Sequence, residues 1–177
     1  MITVIPVKDH LKHKKNLLKL IDSFEKSNDV RGDDHSSDYV VLQEAFREIK
    51  RPYLEYFYKH MIDDVLKNVG DDLGLYPYTG QVHNAWFQRY NKTDTHTWHN
   101  HRSCHFTNCY FLELPNIKYK TEIVDRFNKV IEYEAQEGDV ITFPAWLKHR
   151  SPPNMDKKKT VISFNSSYGY PSSGAIT

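Results

Sequence analysis

The sequence has almost no net charge, very little cysteine and no apolar run long enough to cross a membrane. Lysine and arginine total 24 against 23 aspartates and glutamates, a formal charge of +1. No global field therefore draws the chain to nucleic acid or to an anionic membrane surface. Nothing basic and interleaved with aromatics marks a nucleic-acid groove either. The two cysteines, Cys104 and Cys109, are five positions apart. On an extended strand that odd separation puts them on opposite faces, so they do not pair there. A reducing, cytoplasmic setting is the expectation. A membrane span needs ~20 consecutive apolar residues, and none is present. The opening MITVIPVKDHLKHKK also lacks the apolar segment of a signal peptide. There is no internal repeat.

What is present fits one domain over residues 1–177. Hydrophobic residues make up 39% and aromatics 14%, enough for a core without staples. ITVIPV (2–7) has the composition of a strand. After Asp9, a candidate cap, Leu17, Leu20, Ile21 and Phe24 repeat at helical spacing. Residues 27–38 have loop composition. A second helix is expected from Pro52, with Leu54, Phe57, Tyr58, Met61 and Val65 on one stripe, ending at Val69–Asp72. Beyond residue 80 the period changes. QVHNAWFQRY, FTNCYFLEL, KVIEYEA, DVITFPAW and TVISFNSSY are short runs rich in β-branched and aromatic residues, separated by turn formers. Helices followed by many strands predict an α+β chain. Residues 1–78 form a mainly helical support, 79–168 a sandwich or barrel, and 169–177 a flexible tail.

The chemistry gathers in the β half. Four of the ten histidines lie within THTWHNHRSCH (95–105): His96, His99, His101 and His105. On a strand, His99 and His101 project from one face and can reach a single metal ion. A third ligand must come from elsewhere, and His149 is the candidate. Taken singly, these features have ordinary readings: a solvated histidine, a turn at Gly138-Asp139, a buried strand. His96 and His105 have no assigned role. Trp86, Trp98, Trp146 and Tyr110 could line a cleft or simply pack.

The order of four segments is more specific. Trp86-Phe-Gln-Arg-Tyr90-Asn, His99-Asn-His101, Gly138-Asp-Val-Ile-Thr-Phe-Pro144 through His149, and Lys159-Thr-Val-Ile-Ser-Phe-Asn165 together resemble the iron(II)/2-oxoglutarate-dependent oxygenases. The likeness is to their small prolyl-hydroxylase-like branch in bacteria and tailed marine phages, and it covers about residues 80–168. It implies a double-stranded β-helix (a cupin-like jelly roll) with the N-terminal helices packed on one face. It implies Fe(II) on His99, His101 and His149, leaving three positions for 2-oxoglutarate and O2. The implied reaction hydroxylates a C–H bond, in a prolyl or other side chain of a protein or peptide or in a small molecule. Lys159 then stands where the family generally places an arginine for the far carboxylate, and Tyr90 where relatives place a tyrosine on the co-substrate. A phage-encoded chain would act in the host cytoplasm.

Three positions depart from that pattern. His101 replaces the usual acid, so either three imidazoles hold the iron or a nearby carboxylate, Asp94 or Glu113, enters. Tyr110-Phe111 replaces a tyrosine pair, and Lys159-Thr160-Val161 replaces an Arg-x-Ser. Two alternatives follow: a three-histidine cupin-type dioxygenase that does not use 2-oxoglutarate, and a non-enzymatic jelly-roll binding or structural protein. Lys159 separates the two enzymes, because only the first needs it to line the pocket. The substrate and the oligomeric state are not legible.

Overall fold

A computed structural model describes residues 2–39, 49–75 and 79–169. In chain order these form β1 (Thr3–Pro6), α1 (His10–Ser27), β2 (Ser36–Ser37), α2 (Pro52–His60), α3 (Ile62–Asp72) and β3 (Thr79–Tyr90). There follow β4 (His96–His99), β5 (Phe106–Glu113), a 3-10 turn at Ile117–Tyr119, β6 (Glu122–Ile123), β7 (Asp139–Pro144), β8 (His149–Ser151) and β9 (Lys159–Gly169). The strands make a six-stranded sheet in the order β1-β7-β5-β9-β3-β2 and a three-stranded sheet in the order β4-β8-β6. Every strand pair is antiparallel. The chain is thus mixed α and β with antiparallel sheets, as its change of period predicts.

Side-chain alternation gives the large sheet two different faces. On one, Ala85, Phe87, Tyr110, Leu112, Val140, Ile162 and Phe164 pack against Leu17, Ile21, Phe57 and Val65 of the helices. Of the predicted helical stripes Leu17, Ile21, Phe24, Leu54, Phe57, Met61 and Val65 are buried and Leu20 is half-buried, whereas Tyr58 is exposed and Tyr53 lies in the core instead. On the other face Tyr90, Cys109, Phe111, Ile141, Phe143 and Val161 form a second cluster, continued by Leu147 and Ile123 toward the smaller sheet. Arg89, 4% exposed, reaches back from β3 to Asp22 and Glu25 of α1 and ties helix to sheet.

Several elements differ from expectation. The second helix is interrupted at Met61, whose φ of −139° lies outside the helical region, so α2 and α3 are separate. α3 ends at Asp72, within the expected Val69–Asp72, and at Gly70 inside it a side chain would meet Tyr168 at 3.1 Å. The loop 27–38 contains β2, which adds to the edge of β3. KVIEYEA is not a strand. Val130 makes an isolated bridge to Val124, and the Tyr133 hydroxyl donates to the Thr121 carbonyl, so the segment is held by side-chain packing and single bonds. Asp9 precedes α1 but makes no side-chain cap. The expected tail, 169–177, lies beyond the described residues except for Gly169.

Gly138 shows why the Gly-Asp pair opens β7. Its φ of +97° strongly disfavours L side chains, and a Cβ there would approach the His10 ring at 3.0 Å. Its backbone is bonded on both sides, N–H to the Phe111 carbonyl and carbonyl to the Val7 N–H. Asp139 then caps the turn by accepting from the Gln136 N–H at 2.8 Å. Gly138→Ala is expected to destabilise the protein by about 1–3 kcal/mol. Equilibrium urea unfolding measures this, and an unchanged midpoint would contradict the strain argument.

Candidate metal centre

The inner face of the large sheet and the small sheet enclose a narrow chamber. Trp86, Gln88 and Tyr90 of β3 line it, with Thr107 and Cys109 of β5, Phe143 of β7, and Lys159, Val161 and Ser163 of β9. Each set occupies alternate positions of its strand. The small sheet supplies the histidines. β4 pairs with β8 so that His99 lies directly opposite His149. β4 stops at His99, so His101 is not on a strand as expected. It is placed instead by a backbone bond from its N–H to the Ala145 carbonyl at 2.9 Å, in the turn leading to β8.

His99, His101 and His149 each offer a nitrogen, and the three nitrogens lie within 4.8 Å of one another. The remaining nitrogen of each ring is already engaged. His99 Nδ1 lies 2.8 Å from the Thr97 carbonyl and His149 Nδ1 lies 3.1 Å from the Leu147 carbonyl. His101 Nδ1 lies 2.6 Å from Asn165 Oδ1. A carbonyl oxygen only accepts, so each Nδ1 carries the proton and each Nε2 keeps a free lone pair. Burial lowers the pKa of all three, and that of His149 falls to about 2, so the imidazoles are neutral. Three neutral imidazoles with oriented outer nitrogens are a donor set that fits a divalent metal ion.

The other candidates separate cleanly. Asp94 is held by a bidentate ion pair with Arg31, at 2.6 and 2.9 Å, and accepts from the Asn91 N–H. Arg31 holds its carboxyl below the usual range. Glu113 accepts from the Thr160 hydroxyl at 2.5 Å. Neither carboxylate joins the cluster. His105 sits outside it, with Nδ1 accepting from the Tyr168 N–H. Tyr110 turns to the helical face, where its hydroxyl meets His10 Nδ1 at 2.7 Å. Phe111 is the member of that pair in the inner cluster. Trp86 lies beside the centre, its ring 5.7 Å from that of His101, whereas Trp98 and Trp146 are exposed.

Lys159 is 1% exposed and faces the chamber. Its ammonium donates to Ser151 Oγ at 2.5 Å and to the Tyr119 carbonyl at 2.8 Å, and lies 4.4 Å from the centre of the Tyr90 ring. Burial pulls its pKa down to about 8. Among the described residues it has no salt bridge.

Two participants were not foreseen. His35 stacks on Tyr90 at 5.0 Å and lies tilted against His96 at 4.7 Å, and His96 stacks on His99 at 4.1 Å. Gln88 joins the first two. Its Nε2 donates to His96 Nδ1 at 3.0 Å and to His35 Nε2 at 3.3 Å, while its Oε1 accepts from Ser163 at 2.8 Å. Gln88 follows from the alternation of β3, since it lies between Trp86 and Tyr90. Nothing in the composition of the 27–38 segment marks His35. Beyond the histidines a cleft of about 400 Å³ opens, walled by Tyr39, Trp86, Asn84, Asn100 and Arg102 among others.

The fold itself is shared with solved structures. Over 97% of this chain and 83% of the other, it superposes on HygX of Streptomyces hygroscopicus, determined with nickel and 2-oxoglutarate bound, at 11% identity and a TM-score of 0.64. A Pseudomonas putida prolyl-4-hydroxylase matches over 95% of this chain and 93% of its own, at 10% identity and a TM-score of 0.57. An oxidoreductase of the 2OG-Fe(II) oxygenase family from Burkholderia pseudomallei matches 68% of this chain at 13% identity and a TM-score of 0.59, and there the chain spans 61% of the relative's length. No family model and no curated protein matches the sequence. The chain therefore has the fold of the 2-oxoglutarate- and iron(II)-dependent oxygenases.

Two outcomes are expected. His149→Ala should weaken Co(II) binding at least ~100-fold while His105→Ala leaves it within about twofold, as measured by calorimetric titration. The metal-free protein should also lose stability as pH falls below 6.5. Burial holds His35, His96 and His149 near 4, 3 and 2, so the unfolded chain binds more protons throughout that window. Each contributes up to about 1.4 kcal/mol per pH unit. A flat urea midpoint between pH 7 and 5 would contradict it.

Proposed function

We propose that this protein is an Fe(II)- and 2-oxoglutarate-dependent oxygenase, built as a single-domain double-stranded β-helix with the helices on one face. Its metal ligands are His99, His101 and His149. The observation that carries this reading is the pairing, in one chamber, of three convergent imidazoles with a buried lysine that has no acidic partner among the described residues. That lysine separates the proposal from a three-histidine dioxygenase that does not use 2-oxoglutarate, which would leave Lys159 solvated. Fe(II), 2-oxoglutarate and O2 together supply oxidative decarboxylation to succinate and CO2, coupled to hydroxylation of a C–H bond.

The chain's own residues then have distinct tasks. The carbonyls of Thr97 and Leu147 and the Asn165 amide hold the imidazoles with Nε2 presented. Lys159, with Ser151 beside it, receives the distal carboxylate as a point charge. Tyr90, cross-strand from Lys159 with its ring beneath the ammonium, lines the same chamber and would meet the co-substrate there. Trp86 and Phe143 exclude water from the histidines. The substrate enters by the 400 Å³ cleft, which is wide enough for a prolyl or other side chain presented on a peptide.

Succinate should form from 2-oxoglutarate only when Fe(II) and O2 are both supplied. Lys159→Met should raise the KM for 2-oxoglutarate roughly 10- to 100-fold, the loss of a charge-assisted bond. Succinate formation that is independent of added iron, or an unchanged KM in the variant, would overturn the assignment.

A further inference from the structure

Resting on that reading, we infer that the outer cleft takes a substrate bearing its own carboxylate next to the reacting carbon, held by Arg102 and the Asn165 amide. The orientation of Asn165 comes first. With His101 Nε2 presented to a metal, Nδ1 carries the ring proton, and Asn165 Oδ1 accepts it at 2.6 Å. The Thr107 hydroxyl lies 3.4 Å from the same oxygen and holds the amide in that sense. Asn165 Nδ2 is then the outward end, a donor with no partner among the described residues. The residue is 8% exposed and lines the cleft, so this donor goes unsatisfied unless a ligand meets it.

Arg102 follows His101 directly and lines the same cleft. Among the described residues it has no salt bridge. No aspartate or glutamate lines the cleft among them either, and Asn100 uses its amide hydrogen on the Trp146 carbonyl at 3.3 Å. A guanidinium and an amide N–H, both placed through His101, suit the two oxygens of a carboxylate. Tyr39 and Trp86, with rings 5.2 Å apart, offer an apolar wall to the rest of the molecule. This anion is distinct from the one received by Lys159. Both residues face inward from β9, but ~20 Å of strand separates their backbones. Neither Asn165 nor Arg102 lines the inner chamber. Because Asn165 is bonded to a metal ligand, the group it holds lies beside the reacting carbon. A carboxylate in that place belongs to a free amino acid or to the last residue of a chain. An internal residue offers only neutral peptide carbonyls.

Saturation-transfer NMR on the full chain, loaded with diamagnetic Zn(II) and saturated with 2-oxoglutarate, tests the inference. The probes are the standard amino acids, their N-acetyl derivatives and the amides of those derivatives. At least one acid should bind ~10- to 100-fold more tightly than its own amide, the worth of a charge-assisted bond. An acid that binds only when free points to a small molecule, and one that binds when N-acetylated points to a chain terminus. Arg102→Gln should bring acid and amide within about threefold of each other. Asn165→Asp keeps an acceptor for His101 Nδ1 but replaces the donor with a negative charge. It should therefore retain Zn(II) and bind the acid at least ~10-fold more weakly. The Kd of 2-oxoglutarate is read on the same samples by calorimetry. A weakening there as large as that of the acid would assign the pair to the co-substrate and overturn the inference. Acids and amides that bind equally, or a panel in which no acid binds, would overturn it too. Iron-dependent succinate formation would then leave the oxygenase reading standing, whereas failure of the wild type to bind Zn(II) overturns both.

Discussion

Burying positive charge with no carboxylate in contact among the described residues is the constraint that organises this molecule. Lys159 lies in the interior between two sheets, and its ammonium is satisfied only by a hydroxyl, a carbonyl and an aromatic face. Those partners come from three places: the end of β8, the 3-10 turn and the end of β3. Each must be held in position for the lysine to be tolerated there. Tyr90 and Lys159 are direct cross-strand partners, so the pairing of β3 with β9 sets that arrangement. The small sheet completes it, because β8 carries both Ser151 and His149.

The histidines obey the same economy in a different way. Five imidazoles, from His35 through His96 to the three convergent rings, lie in continuous contact. Such an array is stable only if the rings stay neutral, since neighbouring imidazolium ions repel. Carbonyl acceptors fix the protons of three rings, and the Gln88 amide supplies one hydrogen to each of the other two. Hydrogen bonding thus specifies a tautomer for each ring, and burial keeps a second proton away. The three convergent rings are thereby pre-arranged to donate electron pairs rather than protons.

Much of this was legible because it depends on periodicity. The runs Trp86–Tyr90, Phe106–Phe111 and Lys159–Asn165 are rich in β-branched and aromatic residues, which marks them as strands, whereas the inward turn of Lys159 was read from the family resemblance. His99, His101 and His149 were legible through their order along the chain. The geometry behind His101 was not, because it leaves the strand and is fixed by a carbonyl from Ala145. Nor did sequence decide between His101 and Asp94, since the partner of Asp94 is Arg31, far away in a segment of loop composition. KVIEYEA carried strand-forming residues but found no neighbour to pair with over its length. Its aliphatic side chains and the Tyr133 ring pack on the inner cluster, and the Tyr133 hydroxyl adds one bond to the Thr121 carbonyl.

In the large sheet the ladder facing the centre is interrupted at two places, whereas in the small sheet β4 and β8 lose register between His96 and His99. β3 and β9 lose register between Val82 and Asn84, and β5 and β9 between Phe111 and Glu113. Between these points, from Asn84 to Tyr90 on one side and Lys159 to Asn165 on the other, pairing is unbroken. A shift of one residue inside that stretch would turn Lys159 outward and bring Thr160 into the chamber. A shift beyond either bulge would be absorbed before reaching it. The sheet is therefore built like a ruler with slack at both ends. Changes in chain length can accumulate outside the marked interval, while within it the number of residues is as fixed as their identity.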